Sequence, residues 1–274
     1  MPMIVILNKV KKFMIAVLPT AIMPLLLCSA VDPWTRLDDG LWLGEFNSPR
    51  KAAAGDSKII VLRIDPDRYQ FKLLCRSETG DRPMPLNEWA EKYGCVAAIN
   101  AAMFQTDSVR SIGYMKTRSH INNSHIRKNH KCLFAFDPLK KNMPDAAIFD
   151  MECDNFDTIT KQYQSLFQSI RMLSCRGKNV WKKQQKRNSI AALAVDKGGD
   201  IHFLYSRSPY TVHDFINIIR KLPLDIKRMM YLEGGSPACF YLSHPSRKIE
   251  QCGMAGLDIS TVPLLPNVLG IVKR

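Results

Sequence analysis

No Cys-x-x-Cys pair occurs in the 274 residues, which removes zinc-ribbon and thioredoxin-type chemistry. Gly-x-Ser-x-Gly, His-Glu-x-x-His, Walker A and Gly-x-Gly-x-x-Gly are missing too. Classical serine hydrolases, zinc proteases and nucleotide-binding folds therefore lose their signatures. There is no internal repeat, no low-complexity tract and no evident linker. Acids are scarce beside bases: 25 Asp and Glu against 39 Lys and Arg, a formal net charge of +14. That excess implies an anionic partner, whether nucleic acid, an anionic envelope surface or a phosphate-bearing substrate, and charge alone does not choose among them.

What is present is an ordinary globular composition, 46% hydrophobic and 23% charged, in a chain long enough to bury a real core. Residues 1–30 read as a signal peptide. Lys9, Lys11 and Lys12 precede the apolar run Phe13–Leu27, and Cys28-Ser29-Ala30 supplies small residues ahead of Val31. Pro19 and Pro24 interrupt the run. If it is not cleaved, residues 13–31 would anchor the chain in a membrane; a lipidated Cys28 is the third alternative. Each alternative exports the main domain to a periplasmic or extracellular location. Beyond the leader, Cys75, Cys95, Cys132, Cys153, Cys175, Cys239 and Cys252 are odd in number, so at least one thiol is free in a monomer. They read as buried thiols with one or two disulfides whose pairing is open.

Alternating or β-branched runs predict strands at 58–65, 69–75, 95–99, 132–136, 189–195, 201–205, 228–232, 238–242 and 268–272. Apolar spacing predicts helices over 85–93 and 212–219, the second capped by Thr211. Residues 106–131 are polar and read as loop, and 137–165 carry little pattern. Strands outnumber β–α alternations, so the expectation is one α+β domain over 37–274, a mixed or antiparallel sheet flanked by helices.

Four constellations could carry chemistry. Asn100 follows a short buried strand and precedes small residues; it is either a cleft amide or a turn residue capping its own backbone. Glu233 ends another strand and meets Gly234, Gly235 and Ser236, whose backbone N–H groups suit an anion; the alternative is a plain hairpin turn. Lys178, Lys182, Lys183, Lys186 and Arg187 surround Trp181. They suit phosphate contact and stacking, or a solvated loop, with Arg187 fixed by the strand after it. His120, His125 and His130 stand five apart, a spacing that aligns on no helix face, so no metal site is expected and they read as surface residues.

Taken in order, these segments resemble the phosphodiester glycosidase family in its exported bacterial branch, from about Leu37 to Lys273. Leu41–Phe46 and Val61–Leu74 (VLRIDPDRYQFKLL) resemble its opening. Ala97–Phe104 (AAINAAMF) is similar to its Asn-Gly-Gly-Phe-Phe or Asn-Ala-Gly-Met-Tyr motif, and Ser111–Tyr114 to the glycine-centred segment that follows. Gln168–Leu173 (QSIRML) resembles Gln-Ser-Gly-Pro-Met-Leu, Arg187-Asn188-Ser189 an arginine segment, and Leu232–Ser236 a Leu-Asp/Glu-Gly-Gly turn. The resemblance implies hydrolysis of an N-acetylglucosamine-1-phosphodiester or a similar sugar-1-phosphodiester in envelope or secreted polysaccharide. Glu233, Arg187 and Asn100 would be catalytic. Gln168, Ser169, Gly234, Gly235 and Ser236 would bind substrate, an anionic carbohydrate or sugar phosphate. Ala101-Ala102 and Ile170-Arg171 depart from the family's glycine and Gly-Pro. A non-catalytic binder of anionic glycopolymers on the same fold is the alternative these departures favour. No nucleic-acid partner is expected, since no nucleic-acid motif is present. No cofactor is expected either; a divalent cation has no dedicated loop such as an EF-hand to predict it from. Asp107, Glu152 and Asp196 are the candidates for a second carboxylate.

Overall fold

The computed structural model describes residues 32–254 and 262–274. The leader over 1–30 and the anchor over 13–31 lie outside the described residues. Among the described residues no helix is long and apolar enough to cross a membrane.

The elements in chain order are β1 (Trp34–Asp38), β2 (Leu41–Asn47), β3 (Lys58–Ile64), β4 (Tyr69–Cys75), α1 (Arg76–Thr79), α2 (Leu86–Lys92) and β5 (Ala97–Asn100). Then come β6 (Met115–Lys116), β7 (Ile121–Asn123), β8 (Cys132–Pro138), β9 (Ala146–Asp150), α3 (Phe156–Gln162), β10 (Tyr163–Leu173) and β11 (Asn188–Asp196). The last are β12 (Ile201–Tyr210), α4 (Val212–Ile219), β13 (Ile226–Gly234), β14 (Cys239–His244), β15 (Arg247–Cys252) and β16 (Asn267–Lys273). The expected antiparallel sheet flanked by helices is present, and α+β describes the balance only loosely. Sheet dominates, the ladders are antiparallel, and the helices are short pieces of four to eight residues.

A large sheet runs β1-β2-β3-β12-β11-β13-β10-β6-β7, with β8 also pairing β10 and β9 pairing β8. A smaller sheet runs β15-β14-β5-β16-β4. Between them lies the main core, where Leu62, Leu193 and Phe203 of the large sheet meet Phe71, Ile99 and Leu269 of the small one. The outer face of the large sheet packs on α4 through Val61, Ala192, Phe215 and Ile219. The outer face of the small sheet packs on α2 through Ala98, Tyr241 and Trp89. Central strands covered on both faces read as unbroken apolar runs, as in Ile59–Leu62 and Ile190–Val195. α4 keeps its amphipathic spacing, and the Thr211 hydroxyl accepts from Asp214 N–H at 3.0 Å, closing its first turn.

Candidate functional site

The chain passes from the large sheet to the small one between β13 and β14, in the turn Glu233-Gly234-Gly235-Ser236-Pro237-Ala238. The ladder with β11 slips just before it: Ala192 opposes Tyr231, but Ala191 opposes Glu233, leaving Leu232 as the extra residue of a bulge. A bulge re-aims the side chains beyond it. Glu233 emerges from it half-buried, with Gly234 N–H donating to its Oε1 at 3.0 Å. Among the described residues no cation or second carboxylate contacts it. Loss of hydration alone lifts its carboxyl from the ordinary 4.5 to about 7, against the one hydrogen bond that favours the charged form.

The two glycines have separate reasons. A Cβ on Gly234 would lie 2.2 Å from the Tyr231 hydroxyl, and Gly235 sits at φ +75. The turn is tied on three sides. Gly235 N–H donates to Ser189 O at 3.0 Å, Ala238 N–H to Gly235 O at 3.1 Å, and Gly253 N–H to Ala238 O at 2.7 Å. Ser189 Oγ accepts from Met254 N–H and donates to Arg207 O. Gly253 approaches so closely that a Cβ there would stand 1.9 Å from Gly235 O. The Cys239–Cys252 disulfide closes the same corner. Gly253 carries no local signal in the sequence that marks this role.

Asn100 reaches this corner from β5. Its Oδ1 accepts from Cys239 N–H at 3.3 Å, while its buried Nδ2 has no partner. An unmade buried donor costs about 1–3 kcal/mol, so this amide is poised for a hydroxyl, a phosphate oxygen or a water. The departure after it has a visible effect: Ala102 is held at φ +61, where glycine is the unstrained choice.

Four of the expected substrate-binding groups prove to be spent. Gly234 N–H serves Glu233 and Gly235 N–H serves Ser189, so of the expected N–H donors Ser236 alone is uncommitted. Gln168 and Ser169, expected in the cleft, are fully enclosed. Gln168 Oε1 accepts from Arg127 N–H at 2.9 Å and Tyr114 N–H at 3.3 Å, and its Nε2 donates to Arg127 O and His130 O. Ser169 Oγ donates to Tyr231 O. Gln168 thus clamps the 112–130 segment to β10, with Gly113 allowing contact: a Cβ there would meet Gln168 Oε1 at 3.0 Å.

Arg187 precedes β11 but is exposed and makes no ion pair among the described residues. Arg171 is the reverse. Its Nη1 donates to Asp150 at 2.7 and 2.8 Å and to Glu152 at 2.6 Å, so the charge foreign to the family motif is neutralised within the fold. The three candidate second carboxylates stand in other pairs: Asp107 with Arg110, Glu152 with Arg171 and Lys131, Asp196 with His202. A cavity of about 640 Å³ opens at the far ends of β11 and β13, among Asp65, Asp154, Asp196 and Arg228. Ala191 and Asp196 are five residues apart on β11, ~17 Å, which separates this cavity from Glu233. A second cavity of about 380 Å³, between Lys131, Ile170, Arg171, Trp181 and Lys182, adjoins the Glu233 corner, because the Trp181 and Tyr231 rings lie 5.6 Å apart.

Asp150, Cys153 and Cys175 are the potential metal-ligand group among the described residues. Cys153 and Cys175 are joined as a disulfide, and Asp150 is taken by Arg171 and Cys175 N–H. Cys75, Cys95 and Cys132 are free and buried. His120 bonds Ser77 at the surface, but His130, expected there too, is buried.

The chain is similar in fold to the catalytic domain of zebrafish N-acetylglucosamine-1-phosphodiester alpha-N-acetylglucosaminidase, auto-inhibited by its pro-peptide (TM-score 0.55, 12% identity, 85% of this chain and 82% of that one). It is similar in the same way to a hypothetical protein from Synechocystis (TM-score 0.57, 13% identity, 86% of this chain and 62% of that one). No curated protein sequence matches it. The sequence profile of the phosphodiester glycosidases matches residues 93–263, a span that holds Asn100, the Gln168 clamp, Arg187 and the Glu233 corner. The chain belongs to the phosphodiester glycosidase family.

Proposed function

We propose that this protein is an exported hydrolase that releases a sugar from a sugar-1-phosphodiester, of the N-acetylglucosamine-1-phosphodiester kind, in envelope or secreted polysaccharide. The observation that carries this is the isolated Glu233 carboxyl, half-buried on a two-glycine turn and pushed up to about 7. A phosphodiester is an anion. An ionised carboxylate beside it would repel it, whereas a protonated one can donate to the oxygen bridging C1 and phosphorus. In this step the C1–O bond breaks and the Glu233 proton passes to the departing phosphomonoester. Water adds to C1, and its proton restores the carboxyl. Arg187 neutralises the phosphate, and the free Asn100 amide holds a sugar hydroxyl. Ser236 N–H is a further donor, while Gln168 and Ser169 act as positioning residues. Two disulfides support export, since such bonds persist in oxidising compartments.

The test is sugar release from an N-acetylglucosamine-1-phosphodiester by the parent and by Glu233→Gln. The expected loss of kcat is roughly 100-fold or more, and kcat/KM of the parent falls as pH rises through about 7. Equal release by both proteins removes Glu233 from the chemistry. Tight binding without release by the parent establishes the non-catalytic glycopolymer binder instead.

A further inference from the structure

Between Asp157 and Asp196 the chain contains no acidic residue. Within that stretch Arg176, Lys178, Lys182, Lys183, Lys186 and Arg187 crowd the loop joining β10 to β11. All six are exposed, and none forms an ion pair among the described residues. The neighbouring cations behave otherwise: Lys131 and Arg171 share Glu152, and Arg171 also holds Asp150. The fold neutralises the charges it buries and leaves those of the loop open. Unpaired like charges on one loop repel one another until an anion arrives.

The loop is also held at both ends against the Glu233 corner. At its entry Trp181 Nε1–H donates to Arg171 O at 2.8 Å and its ring packs on Tyr231, whose hydroxyl abuts Gly234. At its exit Ser189 O accepts from Gly235 N–H. Residues 182–187 therefore begin and end beside the same turn. Six residues can reach ~20 Å, longer than one sugar phosphate. Where the segment leaves Trp181, the 380 Å³ cavity sets an indole beside Lys182. A ring face next to an unpaired ammonium suits a sugar that carries a phosphate.

We infer that residues 181–186 grip additional phosphate-linked sugars, so that the substrate is a phosphate-bearing glycan chain rather than an isolated sugar-1-phosphodiester. The inference rests on the glycosidase reading for the event at Glu233 and is independent of it for binding.

The experiment compares the full chain with a Lys182→Gln/Lys183→Gln/Lys186→Gln variant. The probes are a methyl N-acetylglucosamine-1-phosphodiester, a poly(N-acetylglucosamine-1-phosphate) chain, uncharged poly-N-acetylglucosamine of the same length, and duplex DNA. The variant should bind the phosphate polymer about tenfold or more weakly, with a log affinity–log salt slope shallower by about two to three. Its kcat/KM on the small phosphodiester should be unchanged. Equal polymer binding by the two proteins, or parent binding of the uncharged glycan as tight as of the polymer, overturns the inference. So does duplex binding as tight as that of the polymer, which would assign the loop to nucleic acid. Weakened polymer binding without turnover of either substrate by the parent leaves the grip standing and defeats the glycosidase reading alone.

Discussion

Burial lifts the Glu233 carboxyl to about 7, and that has a consequence for stability. Below pH 4.5 its carboxyl is protonated in both folded and unfolded chains and contributes nothing. Between 4.5 and about 7 the unfolded chain releases a proton that the folded one keeps, so stability drains as pH rises. Above that window the full loss stands, about 3 kcal/mol. Glu233→Gln keeps an acceptor for Gly234 N–H and removes the loss. The variant should match the parent at pH 4 and exceed it by that amount at pH 8 in urea denaturation; parallel pH curves for the two would show a well-hydrated carboxylate. Asn100 and Glu233 could be picked out of the sequence because each ends a buried apolar run at a change of composition. Gly253 could not, since its importance comes from Gly235 O across space. Gln168 was misread for a related reason: the partners that spend its amide come from residues 114–130, and no local pattern announces them.

Asp150, at the end of β9, gathers the segment around it. It accepts from Arg171, Cys175 N–H and Glu152 N–H, while Cys153 and Cys175 bond across the same gap and Arg228 holds Asp154. Removing one member of a buried ion pair leaves a charge uncompensated, which costs 3–5 kcal/mol when the site is dry. Glu152 remains as a half-exposed partner, so Asp150→Ala should cost about 3 kcal/mol, read as a lowered denaturation midpoint with little change in slope. A cost below about 1 kcal/mol would mean that Glu152 suffices. Elements with clean periodicity, such as β3, β4, α4 and the β11–β12 hairpin, stood where the residue spacing set them. β10 was hidden, because Ser165, Gln168, Ser169 and Arg171 are polar residues buried in its length. β9 and α3 were hidden by their shortness.

At the scale of the molecule, two disulfides secure the joints. Their sequence separations of 22 and 13 residues correspond to about 3 kcal/mol each in loop-closure entropy. Reduction should therefore lower stability by about 6 kcal/mol, measured as a shift in urea midpoint; no shift would mean that packing alone holds both joints. Cys75, Cys95 and Cys132 should resist thiol reagents until the chain unfolds, since burial raises all three thiols, Cys95 to about 11. The antiparallel sheet was legible at this scale, but α+β fits only loosely, as composition does not reveal how much of an irregular chain a large sheet will recruit. The smaller sheet has one further consequence. There β16, which follows the other described strands in sequence, bridges β4 and β5, which do not pair with each other. A chain made from its N-terminus can assemble much of the large sheet early, but β4 and β5 wait for β16 before they share a sheet. A chain released before β16 would therefore hold β5 on β14 alone, through Ile99 opposite Phe240, with β4 unjoined to that sheet and the core open along its side.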